Sequence, residues 1–321
     1  MSVSLRFPVI VGPTAGGKSD LALALAAALP AEIISADAFQ VFRGMDIGTA
    51  KPAPDVLARV PHHLVDVVEP TEPFSVSQWL PLADAAIADI LARGRVPIVV
   101  GGTHLYVKAL LDGMFEGPPP DPALRVRLQA TPLTELRAEL VRVDPAAAAR
   151  IHPNDQRRTI RALEVYHQTG RPISALQTQW DAGARGIVAP DRGWRPSSSA
   201  RHACVLVGLE WEPDALARRI NARVREMLDR GLMDEVRSLW RSARLGPQAR
   251  EALGYKQLIE HLEGRSSLDD AVEAIKIESR RFAKNQRTWL RRLRTTPGAI
   301  WLDGPRALDA VPELLATIGR S

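Results

Sequence analysis

Cysteine is nearly missing. Cys204 stands alone among 321 residues, which excludes an internal disulfide and any cysteine-based metal cluster. The seven histidines have no ligand spacing: His62 and His63 are adjacent and the others are scattered. No apolar run reaches the ~18 residues a membrane span needs. The opening "MSVSLRFPVIVGP" leads straight into a strand, without the pattern of a cleavable signal. These absences predict a cytoplasmic protein. What remains is ordinary for a globular chain, with 45% apolar and 25% charged residues. The length allows one large domain, or a core with a smaller one.

Basic charge is sparse in the first third and concentrated after it. Residues 1–113 carry a net −3, residues 114–200 a net +3 and residues 201–321 a net +5. Such asymmetry fits a polyanionic partner, or an arginine-rich solvated surface.

"VGPTAGGKSD", Val11 to Asp20, matches G-x-x-x-x-G-K-[ST] through Gly12, Gly17, Lys18 and Ser19. Backbone N–H groups of such a loop cradle phosphates, the lysine adds charge, and the hydroxyl helps place Mg²⁺. The motif needs a strand before it and a helix after it. "RFPVIVG" and "KSDLALALAAAL" supply both. NTPases add an apolar strand ending in an acid for Mg²⁺, but here that strand reads "PIVVGGTH", and no N-K-x-D guanine signature is present. The loop is therefore expected to hold a diphosphate that leaves, rather than a terminal phosphate that is transferred.

"EIISAD" and "RVPIVVGG" are further strands, and "SVSQWLPLADAAIADILARG" and "HLYVKALLDG" are helices. Ser75 or Ser77 caps the first helix, in which Pro81 marks a kink or a later start. The alternation predicts an α/β fold with a parallel sheet. At "EGPPPDP" the pattern changes to helices. Their starts are expected at Thr131-Pro132, Asp144-Pro145 and His152-Pro153-Asn154, and Gly170 is the last stop. "DAGARGIVAPDRGWRPSSSARH" reads as loop before the strand "ACVLVGLEW". Residues 1–115 and 197–321 thus form the predicted core, and residues 116–196 a helical insertion.

Leu216, Ile220, Met227 and Leu228 share a face of the next helix, which Gly231 ends. "DDAVEAIKIESRRFAKNQRTWLRRLR" follows, with Val272, Ile275, Phe282, Trp289 and Leu293 as its apolar stripe. Lys276, Arg280, Lys284, Arg287, Arg291 and Arg294 recur every three or four residues, which puts six cations on one face. No acid lies between Arg280 and Arg294. A one-signed stripe repels itself, so a polyanion explains it better than solvent does.

Six segments in order, "GPTAGGKS", "SADAFQVFRGMDIGTAKP", "PHHLVDV", "GGTHLYVKALLDG", "DPAAAARIHPNDQRRTIRALEVYHQTGRP" and "GYKQL", closely resemble the bacterial tRNA isopentenyltransferase (IPP transferase, tRNA dimethylallyltransferase) family. The resemblance runs from about residue 8 to residue 302. It implies a P-loop kinase-like core. It also implies transfer of a dimethylallyl group from dimethylallyl diphosphate to the N6 amine of the adenosine 3′ of the anticodon in tRNA. Gly12, Pro13, Thr14, Ala15, Gly16, Gly17, Lys18 and Ser19 would then grip the leaving diphosphate, with Arg223 reaching it and Ser19 helping to place Mg²⁺. Asp37 would be the general base, and Thr103 would hydrogen-bond the reacting site. Implied tRNA contacts are Asp37, Ala38, Phe39 and Gln40; Arg157, Arg158, Thr159, Ile160 and Arg161; Gly254, Tyr255 and Lys256; and Arg281, Lys284 and Arg287. The sequence departs from the family pattern at Ala38, His104, Glu251 and Asn285.

Three other readings stay open at this stage. Prenylation of a free adenine nucleotide would leave the insertion and the basic helix without a purpose. A small-molecule kinase would lack its strand-end acid. A non-catalytic RNA binder would keep Lys18, Asp37 and Thr103 to no end. A monomer is expected.

Overall fold

The computed structural model describes residues 6–115, 117–177 and 201–318. Four apolar runs form strands buried along nearly their whole length: β1 (Phe7–Val11), β2 (Ala31–Ser35), β4 (Val96–Gly101) and β5 (Cys204–Glu210). Continuous apolar strands of this kind suit a parallel sheet covered on both faces. The short β3 (His62–His63) and β6 (Ile300–Asp303) complete it, in the order β3-β2-β4-β1-β5-β6, with every pairing parallel. Val9 is in register with Val99 on one side and Leu206 on the other, so β1 runs through the middle of the core.

The helices of this unit are α1 (Lys18–Ala28), α2 (Pro54–Arg59), α3 (Val76–Ala92) and α4 (His104–Asp112). Ser75 and Gln78 cap α3 reciprocally, and Pro81 lies within the helix instead of starting it. The same unit contains residues 201–318.

The other unit begins at Asp112 and consists of α5 (Pro122–Ala130), α6 (Leu133–Val143), α7 (Pro145–Arg150), α8 (Gln156–Thr169) and α9 (Ile173–Leu176). Asp121, Asp144 and Asp155 each accept backbone N–H groups at a helix start. The third start is one residue later than the sequence suggests, because Asp155, and not Asn154, bonds the amide of Arg158. Leu124, Leu128, Leu136, Leu140, Ile160 and Leu163 form this unit's own core. Beside it, fully buried Glu164 takes both ends of the Arg125 guanidinium at 2.5 and 2.6 Å. The loop expected over Asp181 to His202 lies outside the described residues except for its last two, as does the predicted insertion end at 196.

After β5 come α10 (Pro213–Asp229), α11 (Leu232–Arg241), α12 (Tyr255–Leu262), α13 (Leu268–Leu293) and α14 (Val311–Ile318). Val224 takes the buried place expected of Leu228 on α10. On α13 the inward residues are Ala271, Ile275, Ala283, Gln286, Trp289, Leu290 and Leu293. Phe282 shares their stripe but is 43% exposed, so the described residues leave that turn uncovered. Among the described residues no helix is long and apolar enough to cross a membrane.

Candidate active site

Parallel strands end together, so the loops after β1, β2 and β4 meet at one edge of the sheet. The loop after β1 is the phosphate-binding motif. Gly17 opens α1 in the left-handed region (φ 81°), where an L side chain would be strained. Ala15 is held there too (φ 57°), at a cost of about 1–2 kcal/mol. The Gly16 N–H closes a turn onto the Pro13 carbonyl at 3.1 Å.

Four distant side chains fix this loop. Trp211 Nε1 donates to the Gly16 carbonyl at 3.0 Å. Arg219 Nε donates to the Ala15 carbonyl at 2.9 Å while its guanidinium lies over the Trp211 ring. Gln286 Oε1 accepts the Thr14 N–H at 2.8 Å. Arg223 Nη1 reaches the Thr14 hydroxyl at 3.5 Å. Neither Trp211 nor Gln286 stands out as a site residue in the sequence.

Inside the loop, Lys18 Nζ donates to the Pro13 carbonyl at 2.8 Å. Burial, then the positive charge of Arg223, pulls the Lys18 ammonium down to about 8, with Asp37 opposing. Arg223 is also pushed down, first by burial, with Asp37 again opposing. Two cations are thus held close together with little acid to balance them. That is a site that an anion stabilises.

The second component follows β2. Asp37 turns the chain by accepting the Phe39 N–H (2.9 Å) and the Gln40 N–H (3.3 Å) on one oxygen, Oδ1. Thr103, just past β4, accepts the Ala38 N–H on its hydroxyl at 3.0 Å, which leaves the hydroxyl proton free to donate elsewhere. Asp37 and Thr103 are therefore joined through one backbone amide. The end of β4 has no room for an acid: a side chain on Gly101 would run into the Ala36 backbone, and one on Gly102 into the Gln286 amide. The arrangement can take a proton beside an anion-binding loop.

Comparison with known proteins decides the family. A model described as IPP transferase matches residues 40–293, and one described as isopentenyl transferase matches residues 5–64. The chain is 49% identical to a tRNA dimethylallyltransferase of Geobacillus thermodenitrificans, covering 89% of this chain and 87% of that one. It is 46% identical to the Methylococcus capsulatus protein of the same name, covering 94% of each. The chain belongs to the IPP transferase family. Among solved structures, the tRNA isopentenylpyrophosphate transferase of Bacillus halodurans aligns with a TM-score of 0.68 at 36% identity, covering 98% of this chain and 97% of that one. A eukaryotic dimethylallyltransferase acting on tRNA aligns at 0.79 and 27% identity, covering 99% and 81%.

In this IPP transferase the candidate RNA-contacting residues separate into exposed and internal ones. Arg157 and Arg158 are exposed at the start of α8. Thr159 and Ile160 are buried. Arg161 is held within its own unit by the Pro118 carbonyl (3.0 Å) and Glu164 (3.5 Å), so it does not form a free patch with Arg157. Gly254 is buried. Tyr255 is fully buried, with its hydroxyl on Glu235 at 2.5 Å. That carboxylate also takes the N–H groups of Asp46, Ile47 and Gly48. Tyr255 therefore braces the 46–48 loop through Glu235. Lys256 is exposed but paired with Glu251 at 2.9 Å. Gln40 spends its side chain on Ser35, Thr49 and Ala50.

The six-cation stripe of α13 is neutralised at both ends. Glu273 meets Lys276 and Arg280, Asn221 also accepts from Arg280 at 2.6 Å, and Glu210 meets Arg294 at 2.9 Å. Arg281 pairs with Glu278 at 3.4 Å yet stays exposed. Lys284, Arg287 and Arg291 form the middle of the stripe. Behind them, Trp289 stacks on His104 at a centroid distance of 4.9 Å.

Proposed function

We propose that this chain transfers the dimethylallyl group of dimethylallyl diphosphate to the N6 amine of the adenosine 3′ of the anticodon in tRNA, releasing diphosphate. The observation that carries this reading is the juxtaposition of an anion-binding loop with Asp37 and Thr103, at a sheet edge with no acid at the end of β4. The adenosine leaves its stack to reach the site, and the Thr103 hydroxyl holds its exocyclic nitrogen. That nitrogen bonds to the allylic carbon as the carbon–oxygen bond to diphosphate breaks. The nitrogen's proton passes to Asp37. Lys18, Arg223 and the amides of residues 12–19 receive the charge that develops on the leaving group.

Among the described residues no group of three acidic, histidine or cysteine side chains could hold a metal. The Ser19 hydroxyl opening α1 nevertheless fits Mg²⁺, which is commonly held by few protein oxygens together with substrate phosphates and water. When bound, the ion would supply further charge to the diphosphate. Exposed Arg157, Arg158, Arg281 and Lys284 and half-buried Arg287, with the Ala38–Phe39 backbone, would position the anticodon arm of the RNA. The enzyme would act as a cytoplasmic monomer.

The test is incubation with labelled dimethylallyl diphosphate and either tRNA or AMP. Label is expected in tRNA, at the adenosine beside the anticodon. Label in AMP alone would favour a free-nucleotide prenyltransferase. Label in neither, with phosphate released from ATP, would favour a kinase.

A further inference from the structure

Gln286 is 3% exposed and lies at the centre of the site, although it comes from α13 near the far end of the chain. Its single amide serves two loops. Oε1 accepts the Thr14 N–H of the phosphate loop at 2.8 Å, and Nε2 donates to the Gly102 carbonyl at 3.1 Å. Thr14 is the residue whose hydroxyl Arg223 approaches. Gly102 directly precedes Thr103. One rigid planar group therefore sets the spacing between the anion-binding loop and the loop carrying Thr103. Only one orientation of the amide satisfies both partners, since the flipped one would set N–H against N–H and oxygen against oxygen.

The same helical turn carries exposed Lys284 and half-buried Arg287. The helix is anchored on either side of Gln286: Ala283 packs with Leu216, Ile220, Trp211 and Ala15, and Trp289 stacks on His104. A shift of α13 when its outer face meets RNA must move the Gln286 amide, and with it both loops. We propose that Gln286 is a positioning residue that transmits RNA binding on α13 to the phosphate loop, so that the two substrates bind with mutual reinforcement. The proposal rests on the RNA and dimethylallyl diphosphate reading above.

The experiment measures affinity for dimethylallyl diphosphate with and without saturating anticodon stem-loop RNA, and affinity for RNA alone. It compares wild type, Gln286→Met and Gln286→Glu. Methionine keeps the length and burial but strands both the Thr14 N–H and the Gly102 carbonyl. Glutamate, when ionised, keeps an acceptor for Thr14 but offers no donor to Gly102, and it adds a negative charge beside the loop. In wild type, RNA is expected to raise donor affinity at least ~5-fold, the lower end of ordinary coupling. In Gln286→Met, donor affinity without RNA should fall by about 10-fold, the scale of an unpaired buried polar group. Its RNA-dependent gain should vanish. In Gln286→Glu, donor affinity alone should fall as well, because the new carboxylate opposes the anionic donor. Its RNA-dependent gain should still be lost. RNA affinity in the absence of donor should be unchanged in both.

A wild-type gain in both variants would overturn the proposal. So would RNA affinity and melting temperature falling in step with donor affinity, because that is general destabilisation. Inorganic diphosphate, titrated in parallel, keeps this separate from the functional reading. If wild type failed to use dimethylallyl diphosphate, that reading would fall. Unchanged diphosphate affinity in Gln286→Met would still refute the role of Gln286.

Discussion

Replacing Asp37 with Asn isolates the proton transfer from the fold. The turn after β2 depends on Oδ1 alone, which accepts the Phe39 and Gln40 amides. Asparagine keeps that oxygen and the shape, so the melting temperature should hold. What is lost is the basic Oδ2 and a negative charge. Loss of a general base costs ~10²- to 10⁴-fold in rate; the lower figure is about 2.7 kcal/mol of barrier. The lost charge has a second effect. Asp37 holds the Lys18 proton against burial and Arg223, so without it Lys18 falls below about 8 and binds diphosphate less well at neutral pH. The rate at saturation should therefore drop at least ~100-fold, while donor affinity drops only several-fold. Single-turnover transfer from labelled donor to tRNA, both saturating, gives the first quantity, and a donor titration the second. A saturated rate within ~3-fold of wild type would remove Asp37 as the base, since that lies far below the range for a lost base. A donor-affinity loss that accounts for the whole effect would mean that Asp37 acts only through Lys18.

Three further outcomes can be checked. With Lys18 titrating at about 8 in the empty loop, donor affinity should be flat from pH 7 to about 8. Above that it should fall about tenfold per pH unit, as the ammonium is lost. Lys18→Met should bind donor weakly at every pH and show no such break; a break that persists would assign it to another group. The slope of log RNA affinity against log salt should shrink by ~1 in Lys284→Ala and in Arg287→Ala. It should not change in Arg280→Ala, whose guanidinium is already engaged by Asn221 and Glu273. Slopes unchanged from wild type in all three would mean that α13 does not meet the RNA. Finally, Glu32 is held down to about 2, chiefly by its hydrogen bonds to Arg93. Its stabilising contribution is present above the ordinary carboxylate pKa and lost as pH falls toward about 2. Glu32→Gln should lower the melting temperature at pH 7 and flatten its fall in acid; an unchanged acid limb would refute this.

The strand–loop–helix opening, the parallel core strands and α13 were legible because local periodicity and one spaced motif encode them. Trp211 and Gln286 were not, because their partners lie 195 and 272 positions away, and no local pattern records such a pairing. The place of Tyr255 was not legible for a related reason. It entered beside Gly254 and Lys256 through the family resemblance alone, and no local pattern shows that Glu235 draws its hydroxyl inward. The cations of α13 were correctly spaced, but spacing does not say which acids from other elements will meet them. Phe282 fits the inward stripe by helical angle, and only the packing reveals that no described residue covers it. β3, with two residues, is too short to carry a period at all.

β1 is completed late. Its partner on one side, β4, is made within about a hundred residues, but β5 pairs Phe7 with Cys204 and Val11 with Gly208. The whole all-helical unit is synthesised in between. A nascent chain therefore carries its central strand with one edge open while some two hundred residues are added. Its phosphate loop lacks Trp211, Arg219 and Gln286 for longer still. Long-range parallel pairing of this kind closes slowly and exposes strand edges on the way. Truncated chains ending before α13 would contain every residue of the Gly12–Ser19 motif and still not the shape that motif needs. In this protein the first site to be translated is among the last to be finished.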